Sequence, residues 1–239
     1  MSKQITAVLV GGLLISTTAL ATNYAPPLTT GPSLYDGMYL GVTGDYRAGD
    51  LNGKINTAAG TSNQPQNVNI GGLSGFLGYG RVDPNTNIYL GGELTGTGFF
   101  RSSGSSGPIP SLAGQSIQQT YPVAGFDVSL MPGYLFTPKT LGYARIGLGS
   151  MWYNNRTSNI TTGVGTSSMT DSNNKAAMFE YRTGLGLEYA VESRMRVRVE
   201  DDFIGSERKS LNNISVNGTP VASESYRPLY NQLSVGSAW

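Results

Sequence analysis

Residues 179–203 read FEYRTGLGLEYAVESRMRVRVEDDF. Phe179, Tyr181, Leu185, Leu187 and Tyr189 alternate with Glu180, Arg182, Gly184, Gly186 and Glu188. After a short break at Val191–Arg194, Met195, Val197, Val199 and Phe203 alternate with Arg196, Arg198, Glu200 and Asp202. A period of two marks a strand with one apolar and one polar face, and two such runs about a short break make a hairpin.

The pattern recurs along the chain. Met38, Leu40, Val42 and Tyr46 oppose Tyr39, Thr43, Asp45 and Arg47, and Ile88, Leu90 and Leu94 oppose Tyr89, Glu93, Thr95 and Thr97. Phe126, Val128, Leu130 and Tyr134 oppose Asp127 and Ser129, and Ala144, Ile146, Leu148 and Trp152 oppose Tyr143, Arg145 and Tyr153. Leu73, Leu77 and Tyr79 form a weaker, Gly-rich run, and Leu229, Leu233, Val235 and Trp239 complete eight segments. The connections alternate in length. Long ones, rich in Ser, Thr, Asn and Gly, fall at 48–67, 101–120, 154–175 and 205–225. Short ones fall at 82–87, 137–140 and 191–194, the first carrying the turn chemistry of Asp83-Pro84-Asn85.

Composition removes whole classes of function. The 239 residues carry 16 basic and 15 acidic side chains, a balance that offers no basic face for nucleic acid. There is no Cys, hence no disulfide framework or thiolate metal site, and no His, hence no Ser-His-Asp chemistry or His-ligated zinc. No cofactor and no catalytic or metal-binding residue is expected. Residues 1–21, MSKQITAVLVGGLLISTTALA, read as a secretory signal peptide: Lys3, an apolar run from about Ile5 to Ile15, and Ala19-Leu20-Ala21 as the cleavage site. The apolar run falls short of the ~20 residues of a membrane-spanning helix. Residues 22–36 are a periplasmic lead segment and 37–239 the folded domain. No later stretch could span as a helix, so any membrane domain must be built of strands.

A soluble barrel hides its apolar parity and a membrane barrel exposes it. Three observations favour exposure. Gly41, Gly91, Gly133, Gly147, Gly149, Gly184, Gly186 and Gly236 share the charged parity, where a cramped interior favours small residues, although Gly44, Gly75, Gly92 and Gly96 do not. Aromatics on the apolar parity mark both strand ends: Tyr46, Phe100, Phe126, Trp152, Phe179 and Phe203 near the long loops, Tyr79, Tyr134, Tyr189 and Trp239 near the short turns. At ~3.3 Å per residue and ~40° tilt, Phe126 to Tyr134 spans roughly 20 Å, close to the ~25 Å apolar band of an outer-membrane barrel. Finally, the chain ends on Trp239, in phase with Leu233 and Val235, as barrels read by an assembly machinery do. With the charged parity outward, Arg182, Arg196 and Arg198 would face lipid, at ~2–4 kcal/mol each. Asp201 and Asn231 break the pattern on the lipid face, Phe76 breaks it on the other, and Pro132 interrupts a ladder, as is tolerated at a bulge or strand end.

The stretches GFLGYGRVDPNTNIYLGGEL (75–94), PGYLFTPKTLGYARIGLG (132–149) and GLGLEYAVESRMRVRVED (184–201) resemble the small outer-membrane β-barrel superfamily. That superfamily includes the membrane domain of outer-membrane protein A and the opacity-type surface antigens. The resemblance covers about 37–239 and implies an all-β, eight-stranded, antiparallel, up-and-down transmembrane β-barrel in the outer membrane of a Gram-negative cell. It implies both ends at the periplasm and four long loops outside; because the sequence stops at Trp239 it resembles the barrel alone, and no following domain that could grip peptidoglycan is expected. It also implies outer-membrane lipid, lipopolysaccharide and the barrel-assembly machinery as partners, with Trp239 as the assembly signal. Barrel enzymes that trim or acylate lipid A, and barrel proteases, rely on His, which this chain lacks.

The interior parity collects Asp45, Arg47, Glu93, Asp127, Arg145, Glu180, Arg182, Glu188, Arg196, Arg198, Glu200 and Asp202. Every base among them is Arg, whose planar fork suits carboxylates. One reading is a structural network of ion pairs filling the barrel; the other is a narrow ion path. The functional expectation is a non-enzymatic surface protein with a structural or adhesive role, engaging a host or surface ligand through its four loops. A narrow porin-like channel is the alternative, and a soluble ligand-binding barrel a third.

Overall fold

A computed structural model describes residues 33–57, 60–100, 117–158, 174–192, 195–216 and 219–239. The signal peptide expected at 1–21 and most of the lead segment lie outside the described residues, as do the tips of the long connections. The strands are β1 (Gly37–Thr57), β2 (Gly60–Val82), β3 (Ile88–Phe99), β4 (Ile117–Thr137), β5 (Thr140–Ser158), β6 (Asn174–Glu192), β7 (Met195–Ser206), β8 (Lys209–Val216), β9 (Thr219–Tyr226) and β10 (Pro228–Ala238). Each pairs antiparallel with its neighbour, in the order β10-β7-β6-β5-β4-β3-β2-β1, and β10 pairs back onto β1 from Gly41↔Ala238 to Leu51↔Pro228. The sheet closes into the eight-stranded antiparallel barrel expected from the sequence. The closing seam continues to Trp239, whose amide donates to the Leu40 carbonyl at 2.8 Å while Leu40 N donates to the Trp239 carbonyl at 3.0 Å.

Two details correct the sequence reading. Residues 48–57 and 60–67, read as connection, are strand, paired as far as Thr57↔Gly60. Likewise, 205–225 contains the β8–β9 hairpin, whose β9 pairs with the far end of β1 at Lys54↔Ser225. These extensions are mostly Ser, Thr, Asn, Gln, Gly and Ala, so ladder hydrogen bonds persist without the apolar alternation that would reveal them. Pro132 sits at neither a bulge nor a strand end: Leu130↔Ile146 and Gly133↔Tyr143 keep register on both sides of it. The register shifts of this pairing lie elsewhere, between Pro122 and Ala124 and between Leu135 and Thr137.

The outward parity is apolar through the wall. Met38, Leu40, Leu94, Leu148, Leu187 and Val235 are each at least half exposed, a belt that only lipid can solvate. The aromatics expected at the two rims stand exposed there, apart from the half-buried Tyr134, which packs edge-on against Phe136 at 5.6 Å. Asp201 and Asn231 do lie on this outer face.

The short turns are built by their own side chains. Asp83 accepts from the Asn85 amide at 3.0 Å and the Thr86 hydroxyl at 2.7 Å. Asn87 takes the left-handed conformation, at φ 59°, that closes the turn and that Asn tolerates. Adjacent turns are tied together, with Leu135 N donating to Asn87 O and Ala190 N to Lys139 O.

Candidate functional site

The interior is layered. At the turn end Tyr35, Val82, Tyr89, Met131, Leu135, Leu141, Tyr143 and Ala190 form a buried apolar stratum, flanked by Tyr39, Phe76 and Ala238. At the loop end Leu51, Val68, Ile70, Met151, Tyr153, Met178, Ile204, Tyr226 and Tyr230 form a second. Between and around them lie the charges. Interior glycines make room for aromatic rings: a Cβ at Gly41 would strike Phe76, at Gly78 Tyr39, at Gly186 Tyr143, and at Gly80 or Gly91 Tyr89. Phe76, out of pattern in the sequence, thus fills the space left by Gly41, with the Arg198 guanidinium 4.2 Å from its ring centre.

All twelve charged residues singled out from the sequence are buried here, seven carboxylates against five guanidiniums. Two arginines are the hubs. Arg198 on β7 reaches Glu93 on β3 at 2.7 Å, Glu188 on β6 at 2.5 Å and Glu200 at 3.7 Å. Arg145 on β5 reaches Glu200 at 2.9 Å, Glu93 at 3.0 Å and Asp127 at 3.1 Å. The bonds from Arg198 to Glu93 and from Arg145 to Glu93 and Glu200 join strands that do not pair, while those to Glu188 and Asp127 link neighbouring strands. Arg196 meets Glu188 at 3.2 Å and lies 4.5 Å from the Tyr39 ring centre. Arg182 meets Asp127 at 3.4 Å and Asp202 at 3.7 Å. Arg47 meets Glu180 at 3.4 Å and donates to Gln232 at 2.5 Å. Asp45 is held by hydroxyls instead, those of Ser74 and, at 3.1 Å, Thr43. Tyr153 donates to Glu180 at 2.6 Å and Tyr143 to Glu200 at 2.7 Å, so the apolar strata supply donors to the charged layer. A cavity of about 10 Å³, lined by Arg47, Asp127, Glu180 and Arg182, holds no more than one water.

Sequence reasoning missed two parts of this arrangement. The apolar strata went unseen because Tyr89, Tyr143 and Tyr153 count as polar in an alternation, and Leu51, Val68 and Ile70 border polar connections. Extending the interior parity of β1 and β2 by two steps would have found the last three. It also missed the segment before β1. Tyr35 inserts into the turn end and donates to the carbonyls of Lys139 at 2.7 Å and Glu188 at 3.2 Å. Asp36 accepts from the Val82 amide at 2.7 Å and from the Ser33 amide at 2.9 Å. Burial, and then the nearby Glu188, push the Tyr35 phenol up, so it stays a donor. The Asp83 carboxyl is held below its ordinary range, first by the Asn85 amide and then by Thr86.

Among the described residues no group of three or more His, Cys, Asp or Glu is placed to hold a metal ion. Trp239 sits in the closing seam with its ring on the outer face.

A family model described as the OmpA-like transmembrane domain matches residues 33–239. That match bears out the resemblance to small outer-membrane barrels read from the sequence. Among solved structures, the chain is similar to Neisserial surface protein A, at 14% identity over 85% of this chain and 96% of that one, with a TM-score of 0.32. It is similar to Ail, the attachment invasion locus protein of Yersinia pestis, at 10% identity over 85% and 99%, TM-score 0.36. It is similar to the outer membrane protease OmpT from Escherichia coli at 11% identity over 88% and 98%, TM-score 0.48. A search of curated protein sequences gave no significant match.

Proposed function

The chain belongs to the OmpA-like transmembrane domain family of outer-membrane barrels, and on that premise we propose that it is a non-enzymatic surface protein whose barrel is a closed scaffold and whose long loops do the touching. Residues 1–21 export the chain, the short turns face the periplasm, and the long hairpins stand outside. The expected adhesive or structural role belongs to those hairpins, which extend as strand beyond the apolar belt at 48–57 and 60–67.

The filled interior carries this reading. A pore needs a continuous wet path, whereas here two apolar strata bracket a layer in which Arg145 and Arg198 bind carboxylates from opposite sides of the barrel. Buried charges persist only when paired, and separating them leaves each uncompensated at several kcal/mol. The twelve interior charges are therefore assigned to stability. Narrow conduction, the alternative, would require both strata and both hubs to part.

Planar-bilayer recording tests the choice. The protein should give no conductance above background, and neither should Arg182→Ser or Arg196→Ser. Reproducible steps altered by either substitution would replace the scaffold with a channel. Shortening the connections at 101–116 and 159–173 should abolish adhesion to cells or matrix while the barrel keeps its heat-shifted gel band; unchanged adhesion would remove the loop role. Trp239→Ser should lower the amount of folded barrel in the outer membrane if Trp239 is the assembly signal.

A further inference from the structure

The outer wall is not uniformly packed. Near the turn end a groove of about 600 Å³ runs along β3, bordered by β2 and β4. Its floor is Gly92, whose cross-strand partners are Tyr79 on one side and Leu130 on the other. A Cβ at Gly92 would have the Ser129 carbonyl as its nearest neighbour, at 3.9 Å, so the position is open space rather than a tight contact. Tyr79, Ile88, Leu90 and Leu130, all about half exposed, form the walls. At the turn end of the groove stands Arg81, two residues past Tyr79 on the same face. It is the one basic residue on the outward face of the turn half of the wall among the described strand residues. Asp83 borders the same groove and lies within the field of Arg81, but its carboxylate accepts within its own turn from Asn85 and Thr86, and Arg81 takes part in none of the interior ion pairs.

We propose that this groove binds one anionic phospholipid, with an acyl chain laid over Gly92 between Tyr79 and Leu130 and the phosphate held by Arg81. An apolar trough against lipid must be filled by hydrocarbon, since a gap forfeits dispersion contacts on both sides. A guanidinium at the membrane interface keeps its head among the headgroups, and its fork matches phosphate oxygens in two parallel hydrogen bonds. The Arg81 guanidinium takes the phosphate and the trough takes a chain, and a phospholipid carries both. The site rests on the orientation given above, in which the short turns meet the periplasm; that places it in the leaflet made of phospholipid.

Native mass spectrometry of the full folded chain tests it, with phosphatidylglycerol, phosphatidylethanolamine and inorganic phosphate as separate probes. One phosphatidylglycerol should stay bound per barrel in preference to phosphatidylethanolamine. Arg81→Gln should weaken that retention about tenfold or more, the loss of a charge-assisted hydrogen bond. Gly92→Leu should reduce retention of both lipids by filling the trough. Gly96→Leu, on the same face but outside the groove, should leave retention unchanged, and all three variants should keep the heat-shifted gel band. Equal retention in Arg81→Gln, Gly92→Leu and the parent overturns the site. So does displacement of the lipid by inorganic phosphate, or a protein dimer that Gly92→Leu abolishes. Failure of the orientation would show separately, as labelling of Asn85→Cys by an impermeant reagent added to intact cells.

Discussion

Replacing Arg198 by Met isolates the energetics of the interior. Met keeps an unbranched apolar stem against Phe76 and Tyr39 but removes the guanidinium, which is 0% exposed and within 3.7 Å of three carboxylates. Glu93 and Glu200 retain Arg145, and Glu188 retains Arg196, so no acid is stripped of every partner. The balance nevertheless falls from five guanidiniums against seven carboxylates to four against seven. Removing one member of a buried, hydrogen-bonded pair costs about 3–5 kcal/mol. Arg47→Met removes a single pair, and Glu180 keeps its bond from Tyr153 at 2.6 Å; the loss there should be about 1.5–3 kcal/mol, that of hydrogen bonds to a charged group. Urea titration in detergent micelles, read by disappearance of the heat-shifted gel band, should rank Arg198→Met as the less stable. Adding Glu188→Gln should cost less than the sum of the single changes, by about 0.5–3 kcal/mol. A stability for Arg198→Met within about 0.5 kcal/mol of the parent, the range of neutral surface changes, would refute the reasoning, as would strict additivity with Glu188→Gln.

Other outcomes follow from the same geometry. Gly184→Ala would drive a Cβ into Asp202 and to within 2.6 Å of the Asp201 carbonyl, whereas Gly96→Ala meets nothing within 4 Å; overpacking should cost the first about 1–3 kcal/mol in urea and leave the second near neutral. Tyr35→Phe removes the donor to Lys139 and Glu188 and should cost about 0.5–1.5 kcal/mol, with faster amide exchange at Ala190. Because the Asp83 carboxyl is depressed in the folded state, its contribution is complete above the ordinary carboxylate pKa and disappears as pH falls through the lower folded value. The Asn85 amide shift should therefore titrate below the ordinary range, and Asp83→Ala should abolish that titration.

How far the sequence was legible depends on what each feature owes to local order. Sidedness was legible, because a two-residue period sorts Leu185 and Leu187 from Arg182 and Glu188 whatever lies across the barrel. Membership of the charged layer was legible for the same reason. The partnerships within it were not: Glu93 and Arg198 lie 105 residues apart and meet only through the strand tilt and closure. The apolar strata were hidden by the dual character of Tyr, whose ring packs while its hydroxyl serves the layer beside it, as Tyr143 does for Glu200. The hairpin extensions were hidden because their sequences are mostly small and polar and carry no apolar alternation. Tyr35 and Asp36 could not be placed from a Pro- and Thr-rich lead, because their anchors on Lys139, Glu188 and Val82 lie 104, 153 and 46 residues away along the chain.

Which side chains meet lipid is measured most directly by nitroxide collision rates in bilayers, for labels at Leu148→Cys and Leu187→Cys, made in a chain without native cysteine. Both should collide with dissolved oxygen far more than with a water-soluble nickel chelate, while Ser129→Cys and Ser234→Cys, at buried interior positions, stay unreactive toward an impermeant maleimide until the barrel is unfolded. Nickel-dominated relaxation at Leu148 and Leu187, with ready labelling of the two serine sites in the folded protein, would contradict the account.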